Sequence, residues 1–200
     1  MIVVKTVKIP VHHAITERKL LILNRLTAKI THGVWLWSKL FEQYNLKGSY
    51  GDRNMFSEQI KKESNLPSAM IQCCFDSASW MWRGYREQLK DWNWELKRAK
   101  GEWRKKLLKR TPQKPFSKGM KGKVPIWFDY RIGSIERSRI KLCSYVARAS
   151  TLRKGVKITI PLNPARYHLD LWYERPPNPS RNLFGKLGHG SCPLTQASLY

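Results

Sequence analysis

The sequence has few cysteines and histidines, and neither set is spaced to hold a metal ion. Cys73, Cys74, Cys143 and Cys192 include no CxxC pair, so neither a disulfide framework nor a zinc site is predicted. The five histidines are scattered, and none pairs with a cysteine or carboxylate at ligand spacing. We therefore predict no metal site. We also predict no cofactor and no small-molecule substrate.

Long apolar stretches are also missing. No run reaches the ~20 residues that a membrane-spanning helix needs, and the start of the chain lacks a signal-peptide pattern. These absences predict a soluble, cytoplasmic protein without a membrane partner.

Acidic residues are scarce relative to basic ones. The 200 residues contain 38 Lys and Arg against 14 Asp and Glu, which gives a net charge of +24. Self-repulsion at this charge opposes a compact free state, whereas a bound polyanion relieves it. Nucleic acid is the predicted partner; an anionic membrane surface is the competing polyanion.

Apolar or small residues recur every three or four positions along Pro67–Arg110, the spacing of one helix face. A continuous helix there would span ~66 Å at about 1.5 Å per residue. We predict one helix, or two nearly collinear pieces broken at Gly84 or Gly101, packed antiparallel on a helix at Ile15–Tyr44. The predicted stripe comprises Met70, Cys74, Ala78, Met81, Tyr85, Leu89, Trp92, Leu96, Ala99, Trp103 and Leu107.

The opposite face of the second half of this helix is basic and carries one tryptophan. Such a face is typical of a nucleic-acid interface, because the cations neutralise phosphates and an exposed indole stacks on a base or sugar. The alternative is a solvated helix surface on which the indole packs against a neighbouring element. The candidate residues are Arg83, Arg86, Lys90, Trp94, Lys97, Arg104 and Lys105.

Basic residues continue beyond the helical region. The segment TPQKPFSKGMKGK, residues 111–123, mixes Pro and Gly with lysines and is predicted to be an irregular basic loop, either a linker or a phosphate-binding segment. Its lysines, and cations of the following β-region, complete the candidate nucleic-acid-binding set: Lys114, Lys118, Lys121, Lys123, Arg131, Arg153 and Lys154.

Short apolar runs separated by Gly and Asn-Pro turns follow from residue 124, and residues 2–11 are rich in β-branched residues. The predicted fold class is α+β. A small β-barrel-like unit (residues 1–12 plus 124–174) receives an inserted helical lobe (residues 13–110) with one very long helix and a short one at Phe56–Glu63. The basic loop occupies residues 111–123, and the Pro- and Gly-rich residues 175–200 are predicted to be an irregular tail.

Several of these segments resemble the N-terminal half of the transposon-encoded TnpB (OrfB) family of RNA-guided DNA nucleases, which are related to type V CRISPR effectors. The segments are LPSAMIQCCFDSASW, KGKVPIWFDYRIG and, most specifically, STLRKGVKITIPLNPARYHLDL. The resemblance covers roughly residues 1–172. It implies a wedge domain for the β-unit, a recognition lobe for the helices, guide RNA and target DNA as partners, and a bacterial or archaeal source.

The family's catalytic parts have no counterpart in this sequence. Its RuvC domain supplies three metal-binding carboxylates and is followed by a zinc ribbon with CxxC pairs, whereas Asp170 and Glu174 are the sole acidic residues after Leu152. We therefore expect a nucleic-acid-binding fragment of a TnpB-like endonuclease, a transposase accessory protein, that cuts no DNA by itself. Two alternatives are a stand-alone helix-turn-helix DNA-binding regulator from a mobile element and a non-functional remnant with a rearranged end.

Overall fold

The computed structural model describes residues 11, 13–117, 119, 123–128, 131–139, 141–153, 155–166 and 197–199. These residues form four α-helices and five short β-strands, so the predicted α+β class is confirmed. The chain divides into two compact units: a helical unit, Lys29–Val124, and a second unit made of Met1–Ala28 with Pro125–Tyr200.

The helices are α1 (Glu17–Tyr44), α2 (Tyr50–Ser64), α3 (Ser68–Arg98) and α4 (Gly101–Lys109). Helix α1 confirms the prediction for Ile15–Tyr44 to within two residues. The long helical region is present but interrupted, because α3 and α4 are separate helices.

Helix α2 is longer than the helix predicted at Phe56–Glu63, because it begins within the segment KGSYGDR. Ser49 caps the helix by accepting the amide N–H of Asp52 on Oγ at 3.2 Å. The Asp52 carboxylate in turn accepts the amides of Lys47, Gly48 and Ser49 at 2.8–3.0 Å. The segment is therefore a capping box, which satisfies otherwise orphan amides at a helix start.

Helices α1 and α3 run parallel, so the predicted antiparallel packing is wrong. The indole N–H of Trp82 donates to Ser38 Oγ at 2.9 Å, and Cys74 Sγ lies 3.7 Å from the carbonyl oxygen of Ile30. Both contacts join residues 44 positions apart. Because contact partners advance together along the two helices, the helices point in the same direction.

Helix α2 makes this parallel arrangement possible by returning the chain to the start of the pair. Near its beginning Phe56 contacts Tyr44, with ring centroids 4.9 Å apart. Just after its end Leu66 reaches Gly33, where an added Cβ would lie 2.9 Å from both Leu66 Cδ1 and Cys74 Sγ. A side chain at Gly33 would therefore separate three segments that meet at this point.

The core of the helical unit is aromatic. The ring of Phe75 lies 4.9 Å from that of Trp37 and 5.6 Å from that of Phe41, measured between centroids. Phe41 also stacks with Trp82 at 6.4 Å. These four side chains are 5% exposed or less, so the predicted packing of the α1 stripe against the long helical region is confirmed.

Helix α4 folds back on α3 instead of extending it. The indole N–H of Trp92 donates to the carbonyl oxygen of Leu107 at 2.9 Å, whereas 15 residues of continuous helix would separate these positions by ~22 Å. The break falls at Gly101, whose φ of +55° favours glycine. A break at Gly101 was one of the predicted alternatives, but the nearly collinear arrangement is wrong.

The segment after α4 returns along α1. Lys114 Nζ lies 2.8 Å from Glu42 Oε1 near the end of α1. Farther along, the amide of Val124 donates to Thr31 Oγ1 at 3.0 Å. The basic loop therefore contacts α1 near both of its ends. These contacts distinguish it from a free linker.

The second unit contains a three-stranded antiparallel sheet in the order β2-β3-β4. Its strands are β2 (Gly133–Arg137), β3 (Tyr145–Ser150) and β4 (Lys157–Leu162), and Ala147 is paired with Ile135 on one side and Ile160 on the other. This sheet is open, so the predicted barrel-like closure is not supported.

Two further short strands pair with each other: β1 (Ile126–Phe128) and β5 (Ala197–Leu199). Strand β5 lies in the segment predicted to be irregular. Of the strand predicted at residues 2–11, only Val11 is described, and it forms an antiparallel bridge with Leu162. The last of the apolar runs predicted to follow residue 124, at residues 165–174, lies largely outside the described residues.

Candidate nucleic-acid interface

The predicted basic face lies mainly on a helical hairpin, residues 83–109, formed by the second half of α3, a two-residue turn and the whole of α4. We call this segment the basic hairpin. Its cations outnumber its acidic residues, which are Glu87, Asp91, Glu95 and Glu102. The cations are Arg83, Arg86, Lys90, Lys97, Arg98, Lys100, Arg104, Lys105, Lys106 and Lys109.

The hairpin has an inner side that holds its two helices together. Leu107 of α4 is 5% exposed and Ala99 is 6% exposed, and the half-buried Trp92 donates its N–H to the backbone of α4. Trp92 is thus a structural residue. Leu89 and Leu96 are half-buried, as expected for the predicted stripe.

Two members of the predicted stripe are displaced from it. Met81 is 36% exposed, and the neighbouring Trp82 takes its place in the core at 5% exposed. Trp103 is 51% exposed on α4. The spacing itself is kept, because Trp82 lies four residues beyond Ala78. Trp82, with its larger ring, fills this stripe position in place of Met81.

The outer side of α3 carries a straight row of cations. Arg83, Lys90 and Lys97 are seven residues apart, which places them on one helix face at intervals of ~10.5 Å. All three are exposed. Within the described part of the chain, none of their side chains forms a hydrogen bond or ion pair, and the side chain of Arg104 on α4 is equally unpaired. We call Arg83, Lys90 and Lys97 the cation row.

Three other predicted site residues are engaged by the protein. Arg86 donates to the carbonyl oxygen of Leu46 at 2.6 Å and to Asn45 Oδ1 at 3.3 Å, so it binds the chain just after α1. Lys105 pairs with Glu102 at 2.7 Å. Lys114 pairs with Glu42, whose carboxylate raises the pKa of the Lys114 ammonium by hydrogen bonding and charge. Arg86 therefore has a structural role that the helical pattern did not indicate.

The remaining predicted cations are distributed over both units. Lys123, in the helical unit, is exposed, as are Arg131 and Arg153 in the sheet-bearing unit. Lys118, Lys121 and Lys154 lie outside the described residues. The candidate site is accordingly limited to the basic hairpin.

Trp94 occupies the same face as the cation row. Residues two apart on a helix are separated by about 200° of rotation, so Trp94 and Trp92 point in nearly opposite directions. The indole of Trp94 is 56% exposed. The guanidinium of Arg98 lies 3.5 Å from its ring centroid, a cation–π contact that the spacing of four residues could have indicated. Arg98 is the site residue that sequence reasoning missed.

Clusters suited to metal binding are absent from the part of the chain that the structure describes, since no three His, Cys, Asp or Glu residues are grouped closely enough there. Among the described helices, none is both long and apolar enough to cross a membrane.

Comparisons with protein-family models, with curated proteins and with solved structures returned no match to this chain.

Proposed function

We propose that the chain binds the phosphate backbone of structured RNA or of an RNA–DNA duplex through the basic hairpin. The observation that carries this proposal is the cation row, Arg83, Lys90 and Lys97, exposed on one helix face without protein partners in the described residues. Cations placed in this way release counterions from nucleic acid when they neutralise its phosphates.

In terms of the TnpB resemblance, this activity is that of a guide-RNA and target-duplex scaffold. We propose that the chain holds nucleic acid and performs no cleavage of its own. The positive charge of the basic hairpin supports the proposal of nucleic-acid binding independently of the resemblance, because the argument depends only on exposed residues.

The helix-turn-helix alternative is disfavoured by burial at the start of α3. A regulator of that class places the first residues of its second helix in the major groove. The turn between α2 and α3 is short, but Met70 and Ile71 are 0% and 2% exposed. The other residues of this first turn, Ser68, Ala69 and Gln72, carry no positive charge, and the cations of α3 begin only at Arg83. This distribution favours binding to the nucleic-acid backbone along the second half of the helix.

Salt dependence of binding tests the proposal. We expect the logarithm of the affinity for an RNA–DNA duplex, measured by fluorescence anisotropy, to fall against log salt with a slope of about −3.5 to −4.5 if five or so phosphates are neutralised. The triple variant R83Q/K90Q/K97Q should make this slope shallower by about 2 to 3. A flat salt response of the unmodified chain would contradict the proposal.

A charge-matched control separates the cation row from net charge. K29Q/K61Q/K62Q removes the same number of cations from exposed positions on α1 and α2. It should leave the slope within about 0.5 of the unmodified value, because non-contacting charges release no phosphate counterions. An equal loss in both triple variants would show that binding follows overall charge and would exclude the cation row as the interface.

A further inference from the structure

We infer that Trp94 and Arg98 form a stacking site for an unpaired nucleobase, so that the basic hairpin prefers nucleic acid with single-stranded nucleotides beside a duplex. This inference rests on the proposed function and specifies its substrate class.

The first step of the inference concerns the surroundings of Trp94. On a helix, the side chains that adjoin a residue are those three and four positions away. For Trp94 these are Lys90, Asp91, Lys97 and Arg98, all charged and all exposed. The Trp94 indole is 56% exposed, and its neighbours on its own helix are all charged, in contrast to Trp92 on the inner side.

The second step concerns the guanidinium of Arg98. It lies 3.5 Å from the centroid of the Trp94 ring, which holds the two planar groups together before any ligand arrives. The Arg98 side chain forms no hydrogen bond or ion pair within the described residues. Its N–H donors are therefore available to a phosphate or a base edge, and stacking does not consume them.

The third step is geometric. Lys90 and Lys97 lie before and after Trp94 on the same face, at distances of ~6 Å and ~4.5 Å along the helix axis. Phosphates bound to these two lysines would pass on both sides of the indole. A base attached between them would lie against the Trp94–Arg98 pair.

Only an unpaired base can use such a site, because stacking needs an open base face. Within a continuous duplex each base is covered by its neighbours, whereas loops, bulges and ends expose bases that stack on aromatic rings and on arginine planes. The cation row alone would not distinguish these two kinds of ligand, since both carry phosphates.

Three RNA probes separate stacking from charge. The first is a blunt duplex of about 20 base pairs, the second carries an added single-stranded 3′ overhang of about four nucleotides, and the third has the same overhang with abasic sugars. The second and third probes have equal phosphate numbers. We expect the overhang with bases to bind about 5- to 150-fold more tightly than the abasic one at a single salt concentration.

Variants test whether Trp94 and Arg98 cause the preference for the base-containing overhang over the abasic one. W94A should reduce the ratio between the two overhang probes to about one. Because both probes carry the same number of phosphates, this ratio is independent of any change in backbone binding. R98K keeps the charge but removes the planar guanidinium, so the ratio should fall without any change in slope. The control is W103A, which removes a similarly exposed indole, at 51%, and should retain the ratio.

The outcomes distinguish this inference from the proposed function. Equal binding of the base-containing and abasic overhangs by the unmodified chain, with a steep salt slope, would overturn the stacking site and leave backbone binding intact. The stacking site would also be overturned if W103A lost the ratio as fully as W94A. A flat salt response with no discrimination would overturn both proposals.

Discussion

The two halves of α3 share one apolar periodicity but lie in different surroundings. All nine buried residues of this helix lie between Met70 and Trp82, where α1 and α2 cover it. Beyond Trp82 none of its residues is buried, and its inner side is covered only in part by the nine-residue α4. The first half is therefore a core element, and the second half is a support that presents charge. The comparison shows that an apolar stripe identifies the face of a helix that makes contacts, but not how completely neighbouring elements bury that face.

The largest expected difference between the two halves is in global stability. F75A removes a ring that contacts both Trp37 and Phe41 and should lower the free energy of unfolding by about 3–5 kcal/mol. W94A, on the exposed half, removes the cation–π contact with Arg98 and should lower it by about 1 kcal/mol or less. Urea unfolding followed by circular dichroism measures both. Similar losses in the two variants would contradict the division of α3 into a core half and a supporting half.

A smaller effect is expected at the hairpin turn. Ala at Gly101 would meet no atom within 4 Å, so G101A isolates the cost of a positive φ, which is about 1–2 kcal/mol for a residue with a Cβ. We expect α4 to open more often, so that its amides exchange with solvent about 5- to 30-fold faster by hydrogen-exchange mass spectrometry.

The control for this prediction is a second open glycine on α3. Gly84 lies within the helix, also with no atom within 4 Å of an added Cβ. G84A should therefore slow exchange of the surrounding α3 amides by up to about 5-fold, since Ala is favoured over Gly in a helix interior by about 1 kcal/mol. Unchanged exchange of the α4 amides in G101A would show that Gly101 does not determine the conformation of the turn between α3 and α4.

The smallest predicted effect lies at the loop that precedes α2 and depends on pH. Backbone amides, that of Ser49 foremost, hold the pKa of Asp52 below its ordinary value of 3.8. A carboxyl group whose pKa is lowered by folding stabilises the fold above its unfolded pKa and loses that contribution as pH falls through the folded value. D52N should therefore cost about 1 kcal/mol at pH 6 and less at pH 2, where the carboxylate is increasingly protonated. Urea unfolding at both pH values tests this, and an equal cost at the two would exclude the carboxylate as the cause.

Helical periodicity was sufficient to locate α1 and the core half of α3, because both depend on local spacing. Periodicity could not give the relative direction of α1 and α3, since an apolar stripe is the same for parallel and antiparallel neighbours. Here α2 returns the chain to the start of α1, and this makes the two helices parallel. The fold-back of α4 depends on a contact between Trp92 and Leu107, which no local pattern encodes. Open and closed sheets likewise differ in the pairing between distant strands. The sequence pattern could therefore not establish whether the sheet closes into a barrel.

The candidate site was predictable to a similar extent. A helical wheel identified the cation row, because these residues lie on the face opposite the apolar stripe and are exposed. The same wheel included Arg86, and the composition of the loop assigned Lys114 to phosphate, but their partners lie 40 and 72 positions away. Arg98 was within reach of local reasoning, because its stacking on Trp94 needs only the spacing of four residues.

The parallel pairing of α1 with α3 has a consequence for synthesis of the chain. Because Ile30 and Ser38 find their partners 44 residues later, the apolar face of α1 leaves the ribosome well before the helix that covers it. At about 5–20 residues per second, that interval is roughly 2–9 s. During this time the rings of Trp37 and Phe41 lack their partners Phe75 and Trp82, and the nascent chain is exposed to aggregation and to chaperone binding until α3 is complete.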